Sequence, residues 1–328
     1  MMHFSAERPI IVRQIRNRLL ELSGAIYRDR AAIEGWEYVI AGTRQDAAPP
    51  PKKGWKAYAL GTPWGGLDIT CWFRARVKVP IRRDGMRVVL ILQPGGESAC
   101  FVNGAPLQGL DKNRNEVLLP AEMHGTTIDV LLESYASPYH TSMGICRFPV
   151  AAFGFRDEAV RSLYWDLKVA FEAANALEND TRTSRRLLSL VETSLKSLDL
   201  NAIGDQEEFR MAARVAQKSL KSGLVEFSGS SGMGKARMVG QSHIDTAWLW
   251  PLRETRRKVT RTFSTVLNYM DQYPDYVYFQ SQPQLYEWVK ENQPQMWERI
   301  KRQVKAGKWE LNGAAWVEQD TNVPSGES

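Results

Sequence analysis

Three cysteines in 328 residues, Cys71, Cys100 and Cys146, with no CxxC spacing, are too few for a disulfide framework. They fit reduced thiols and imply a cytoplasmic compartment. The chain also lacks any apolar run approaching the roughly 18–20 residues of a membrane span, so no membrane partner is expected. Its first segment lacks the continuous apolar stretch of a secretory signal, because Arg13, Arg16, Arg18 and Glu21 interrupt residues 10–22. Helix-turn-helix, zinc-finger and RRM signatures are missing too. The formal net charge of +6 comes from dispersed basic residues: Arg82-Arg83, Arg185-Arg186, Arg256-Arg257-Lys258 and Lys301-Arg302. These read as solvated outer faces of helices, so no nucleic-acid partner is expected.

What is present is ordinary for a globular chain: 43% hydrophobic and 24% charged residues, at a length that allows two domains with their own cores. Residues 1–50 read as a helical segment and a turn-rich break. Ile11, Ile15, Leu19 and Leu22 form the stripe of an amphipathic helix, and Ala47-Ala48-Pro49-Pro50-Pro51-Lys52-Lys53-Gly54 ends the segment. Residues 51–156 read as a β-sandwich of short strands. Cys71-Trp72-Phe73-Arg74-Ala75-Arg76-Val77-Lys78-Val79 alternates over part of its length, and Asn103-Gly104 marks a hairpin between strand-like flanks. Residues 157–227 then change to helical period, with Val160, Leu163, Leu167, Phe171 and Ala174 on one face and Leu187, Val191, Leu195 and Leu198 on another.

Residues 228–328 alternate strand and helix: strand 238–243, helix 255–273, strand 277–280, helix 284–304 broken near Pro294, and a strand opening at Trp309. Such an order implies a parallel sheet with right-handed crossovers, whose ligands bind at the carboxyl ends of the strands. His243 and Asp245 follow the first strand, Ser281-Gln282 the second, and Trp316-Val317-Glu318-Gln319-Asp320 the third. Every candidate group therefore falls on one edge. Side chains two apart on a strand point the same way, so His243 and Asp245 can converge and supply half of a tetrahedral metal site. Taken singly, His243 also reads as a structural histidine, Asp245 as a helix cap, and Glu318 and Asp320 as solvated loop acids. Gly229-Ser230-Ser231-Gly232-Met233-Gly234-Lys235-Ala236 approaches a phosphate-binding loop, but Ala236 stands where magnesium needs a hydroxyl and a strand-like segment follows. It reads as a linker.

Longer strings narrow the choice. His243-Ile244-Asp245-Thr246-Ala247-Trp248-Leu249-Trp250-Pro251-Leu252-Arg253-Glu254-Thr255 resembles glycoside hydrolase family 38, the α-mannosidases, in the wording of its cytosolic and bacterial branch. Gly307-Lys308-Trp309-Glu310 and the run from Trp316 through Asp320-Thr321-Asn322-Val323-Pro324-Ser325-Gly326-Glu327-Ser328 resemble it as well. Between them, Arg261-Thr262-Phe263 and Ser281-Gln282-Pro283-Gln284-Leu285-Tyr286-Glu287-Trp288 fit the same pattern. Over residues 1–235 the likeness is looser and rests on Trp64-Gly65-Gly66-Leu67-Asp68, Trp72-Phe73-Arg74 and Val102-Asn103-Gly104.

The resemblance implies a multidomain α/β plus β protein: an N-terminal helix and β-sandwich, a helical connector, then the first three strands of an incomplete (β/α) barrel. It implies retaining hydrolysis of terminal α-D-mannosides in mannose-containing oligosaccharides, with zinc or cobalt as the metal. His243, Asp245 and Asp320 match the family's metal ligands, Asp320 its nucleophile as well, and Trp248 the aromatic residue under the sugar. A later histidine ligand and the acid/base carboxylate of the family match nothing here. The implied reading is therefore an inactive N-terminal fragment of an enzyme whose full length forms a homo-oligomer. Two other classes fit parts of the pattern. One is a non-catalytic carbohydrate-binding module using sandwich aromatics such as Trp55, Trp64, Trp72 and Phe73; the other is a deacetylase-like metallohydrolase built on the same His-x-Asp pair.

Overall fold

The structure is a computed structural model that describes residues 2–42, 50–137, 144–177, 181–200, 206–228, 236–313 and 315–319. In chain order, α1 (Met2–Gly24) leads into β1 (Tyr27–Ala32), β2 (Glu37–Gly42), β3 (Lys56–Ala57), β4 (Pro63–Gly65), β5 (Ile69–Lys78) and β6 (Met86–Gln93). There follow β7 (Glu97–Val102), β8 (Ala105–Leu110), β9 (Glu116–Leu118), β10 (Thr127–Ala136), β11 (Ile145–Arg147) and β12 (Val150–Asp157). Three helices come next: α2 (Glu158–Ala176), α3 (Arg182–Lys196) and α4 (Gln206–Leu224). The remainder is β13 (Gly240–Gln241), α5 (Leu252–Gln272), β14 (Tyr278–Gln280), α6 (Pro283–Asn292), α7 (Pro294–Lys305) and β15 (Trp309–Leu311).

The chain divides into two compact units. One comprises Met1–Arg30, Ile81–Val89 and Gly154–Lys235; the other comprises Ala31–Pro80, Leu90–Phe153 and Ala236–Ser328. The first unit is a helical bundle whose core joins Ile15, Leu19 and Leu22 of α1 to Val160, Leu163 and Leu167 of α2, Val191 of α3 and Phe209 of α4. The stripes expected from helical period are thus the buried ones. Asp157 organises the start of α2: one carboxylate oxygen accepts from the N–H groups of Ala159 and Val160, and the other accepts from Arg210 Nε at 3.0 Å. An N-cap and a buried ion pair share one side chain.

In the second unit a six-stranded sheet runs in the order β3-β2-β5-β10-β7-β8; a separate sheet has four strands in the order β1-β12-β6-β9. Three strands of the latter, β1, β6 and β12, have part of their length in each unit. The Asn103-Gly104 pair closes the β7–β8 hairpin with Val102 opposite Ala105, and both turn residues have positive φ, 50° and 80°. That is the conformation this dipeptide favours. The β region begins earlier than the sequence pattern indicates. β1 has burial only at its start, so its Arg28, Asp29 and Arg30 carry no alternation to read.

β5 shows why its period is only half visible. Residues Arg74, Arg76 and Lys78 are exposed while Phe73, Ala75 and Val77 are buried, the alternation of a one-sided strand. Before Arg74, however, Thr70, Cys71, Trp72 and Phe73 are all buried. The second face there is covered by α5. Its Arg257 Nη1 donates to Thr70 Oγ1 at 2.7 Å, and its Nε lies 3.0 Å from Glu133 Oε1 on the neighbouring strand β10. Arg261 Nη2 reaches Glu97 Oε2 at 2.8 Å and Glu254 Oε1 at 2.5 Å, and Lys258 also pairs with Glu97. The expectation of a solvated Arg256-Arg257-Lys258 face is therefore corrected for two of its members: Arg257 is 2% exposed and Lys258 is mostly covered. A sheet face carrying Glu97 of β7 and Glu133 of β10 lies against that helix, which no helical period reveals. Gly109 lets the helix come close, since a Cβ there would lie 2.8 Å from Arg261 O, and its N–H donates to Thr265 Oγ1 at 2.9 Å.

The last three strands form the parallel sheet β13-β14-β15 that the β-α-β-α-β order predicts. Tyr278 of β14 and Trp309 of β15 stack edge-on at 4.7 Å, and Phe263 of α5 meets Trp309 at 5.1 Å. The first strand is shorter than expected. β13 has one strand partner, and Met238 and Val239 ahead of it are exposed.

Candidate active site

The three strand ends converge. Beyond β13, His243 Nε2 lies 3.2 Å from Asp245 Oδ1. Beyond β15, Glu318 Oε2 lies 2.5 Å from the other ring nitrogen, His243 Nδ1. Beyond β14, Ser281 Oγ donates to the second oxygen of Glu318. One imidazole is thus held between two carboxylates contributed by segments more than seventy residues apart in the chain. The side chains of His243, Asp245 and Glu318 are 56%, 39% and 33% exposed, so the cluster faces solvent and is reachable by a ligand.

Two further contacts fix the loop that carries His243 and Asp245. Gln282 is buried with φ of 61°, left-handed for a non-glycine residue, immediately before Pro283 at the start of α6. Such a conformation costs on the order of 1–3 kcal/mol and persists where surroundings hold it. Here its amide spans the loop: Nε2 donates to Ile244 O at 2.9 Å, and Oε1 accepts from Thr246 Oγ1 at 3.0 Å. From the other side Thr255 of α5 donates to Asp245 O at 3.3 Å and accepts from Trp250 Nε1 at 3.1 Å. The backbone on both sides of Asp245 is therefore tethered to α5 and to the end of β14.

Partial burial works to lower the His243 pKa, but the hydrogen bond to Asp245 and the charge of Glu318 outweigh it, and the imidazole ends above its ordinary value. The protonated imidazole is thus favoured between its two carboxylates. Trp248, in the same loop, is 52% exposed and meets Trp250 edge-on at 5.5 Å. A cavity of about 390 Å³ is lined by His243 together with Asp111, Arg114, Lys258 and Tyr269.

Of the residues singled out in the sequence, His243 and Asp245 are brought together and Trp248 is nearby in the same loop. Asp320 lies outside the described residues, as do the glycine-rich residues 229–235. Among the described residues no group of three or more His, Cys, Asp or Glu side chains is disposed to hold a metal ion. Glu318 reads from the sequence as a solvated loop acid and Gln282 carries no role there; only their place after β15 and β14 points to one. The sandwich aromatics offer little to a sugar: Trp64, Trp72 and Phe73 are 3%, 4% and 0% exposed, and Arg74 lies over the ring of Trp55 at 4.2 Å. The three cysteines are buried and form no disulfide, and burial pushes the Cys71 and Cys100 thiols up to about 12. Among the described residues no helix is long and apolar enough to cross a membrane.

The parallel sheet gathers one histidine and two carboxylates at its strand ends, and comparison with known families supplies the class. Residues 233–328 match the glycosyl hydrolases family 38 N-terminal domain, and residues 41–150 match the α-mannosidase jelly roll domain. The chain belongs to glycosyl hydrolase family 38. It is 30% identical over 287 residues to α-mannosidase 2C1 of Mus musculus, which covers 82% of this chain and 27% of that protein. It is 26% identical over 293 residues to α-mannosidase G of Dictyostelium discoideum, covering 84% of this chain and 26% of that protein. A third relative, the α-mannosidase of Saccharomyces cerevisiae, is 32% identical over 179 residues, covering 52% and 16%. The chain spans about a quarter of the length of the mouse and Dictyostelium proteins.

Proposed function

We propose that this chain supplies the N-terminal part of the active site of a retaining, zinc-dependent α-mannosidase, with His243, Asp245 and Asp320 as metal ligands and Asp320 also as nucleophile. The observation that carries the reading is the 3.2 Å separation of His243 Nε2 and Asp245 Oδ1 at the joined strand ends. Two ligands bound tetrahedrally to zinc at about 2.0–2.1 Å stand about 3.3 Å apart, so the pair suits a shared cation with little movement. Zinc or cobalt bound there would supply a Lewis acid and a template for sugar hydroxyls.

The chain's own residues have simpler tasks. Asp245 and His243 would hold the cation once deprotonated, and Gln282 and Thr255 hold their loop in place. The exposed indole of Trp248 offers an apolar face to the C–H bonds of the sugar. Asp320 is the carboxylate for attack on the anomeric carbon: its oxygen forms the new bond as the glycosidic C–O bond breaks, giving a glycosyl-enzyme that water then hydrolyses. The acid that protonates the leaving oxygen matches no residue of this sequence, so residues 1–328 alone are inactive. Buried, unreactive thiols favour a reducing, cytoplasmic setting.

The test is release of nitrophenol from a nitrophenyl α-D-mannoside by the intact gene product and by residues 1–328 alone. The intact product should hydrolyse it, and Asp320→Asn should lower kcat by roughly 10³-fold or more. The isolated 328 residues should show no turnover. Activity untouched by Asp320→Asn would remove the assigned nucleophile, and turnover by residues 1–328 would overturn their inactivity.

A further inference from the structure

We infer that Glu318 is the positioning residue of the metal centre: it accepts the Nδ1–H of His243 and so commits Nε2, the nitrogen beside Asp245, to the cation. The inference rests on the metal reading above and extends it to a residue that the metal and nucleophile assignments leave without a role.

The argument is geometric. An imidazole binds a metal through the nitrogen that carries no proton, and the hydrogen bond made by its other nitrogen decides which one that is. In this site the two nitrogens have different neighbours. Nε2 faces Asp245 Oδ1 at 3.2 Å, and Nδ1 faces Glu318 Oε2 at 2.5 Å. Lone pairs on the two nitrogens diverge across the ring, so a carboxylate placed on Nδ1 is not available to a cation on Nε2. Glu318 is therefore a partner of the ligand and not a ligand, in keeping with the lack, among the described residues, of three groups disposed around one point.

Glu318 is itself oriented. Ser281 Oγ donates to its other oxygen, Oε1, which leaves Oε2 directed at the ring. Ser281 is set by its neighbour Gln282, whose left-handed backbone and two amide hydrogen bonds lock the end of β14 to Ile244 and Thr246. The order of support runs from Gln282 to Ser281, to Glu318, to His243. A carboxylate on the distal nitrogen also raises the basicity of the ligating one, and loss of such a partner characteristically weakens metal binding about 10–100-fold.

The experiment is a cobalt and zinc titration of the metal-free protein against a chromophoric chelator, with nitrogen-15 spectra of the His243 ring recorded on the loaded protein. The parent protein should bind, with the proton on Nδ1 and the metal on Nε2. Glu318→Ala should weaken binding about 10–100-fold. Glu318→Gln, whose amide oxygen still accepts from Nδ1–H, should recover a large part of that loss, which a merely structural role for the charge would not explain. Ser281→Ala should weaken binding less than Glu318→Ala does. Equal affinity in the parent and Glu318→Ala proteins, or a metal on Nδ1, overturns the role of Glu318 while leaving the metal reading intact. No binding by the parent protein, or unchanged binding after His243→Ala, overturns the metal reading and this inference with it. Circular dichroism of each variant separates weakened binding from unfolding, and Glu318, partly exposed, tolerates replacement.

Discussion

Helix α5 touches two clusters of charge that differ in burial and in balance. Where it lies against the β-sandwich, Arg257, Lys258 and Arg261 meet Glu97, Glu133 and Glu254, three cations with three carboxylates, and Arg257, Arg261, Glu133 and Glu254 are each 5% exposed or less. At the strand ends, His243 alone stands between Asp245 and Glu318, and all three are partly open to water. Successive residues of one helical turn serve the two: Glu254 faces the first and Thr255 tethers the loop of the second. Buried charge must be matched, because each unpaired ion costs several kcal/mol. Half-exposed charge need not be, so an excess of carboxylate there is tolerated and can be balanced by a cation. The first cluster fixes where α5 sits; the second is left free to bind.

Breaking the match should therefore be far more damaging to stability than anything done at the strand ends. Glu254→Ala removes one of Arg261's two carboxylate partners and leaves buried charge uncompensated, and it should lower unfolding free energy by about 3–5 kcal/mol in urea titrations. A loss below about 1 kcal/mol would mean that water enters the cluster and that its balance is of no consequence.

A smaller effect sharpens the same contrast through pH. Burial pushes Glu133 up to about 7 against the pull of Arg257 and above the ordinary glutamate value of 4.5. Its protonated form is favoured in the folded state, so the stability it contributes is complete below about 4.5 and is lost as pH rises through about 7. The stability of the parent protein relative to Glu133→Gln should accordingly fall by roughly 2–3 kcal/mol between about pH 5 and about pH 8. Parallel curves would show that Arg257 keeps Glu133 ionised throughout.

The two clusters were unequally legible. The strand-end site is legible because β-α-β-α-β order places every strand terminus on one edge, so topology alone puts His243, Ser281, Gln282 and Glu318 on a shared rim. What each does there was not legible. The left-handed Gln282 and the reach of Glu318 to His243 depend on pairings across tens of residues that no local period encodes. The buried cluster is hidden in the sequence for the same reason. Arg257 and Lys258 look like any solvated helical face until the glutamates of β7 and β10 are known to lie opposite. β5 did hold a signal: its alternation fails before Arg74, at the point where α5 covers the sheet. The helical unit was the most transparent, since the stripes of α1, α2 and α3 are satisfied within the bundle itself.

The most direct test of the central claim is anomalous scattering at the zinc edge from crystals of the metal-loaded protein. The account predicts a single strong peak about 2.0–2.2 Å from both His243 Nε2 and an Asp245 carboxylate oxygen, with Nδ1 still on Glu318. A peak on the Nδ1 side of the ring, or none within bonding distance of these two residues, would contradict it.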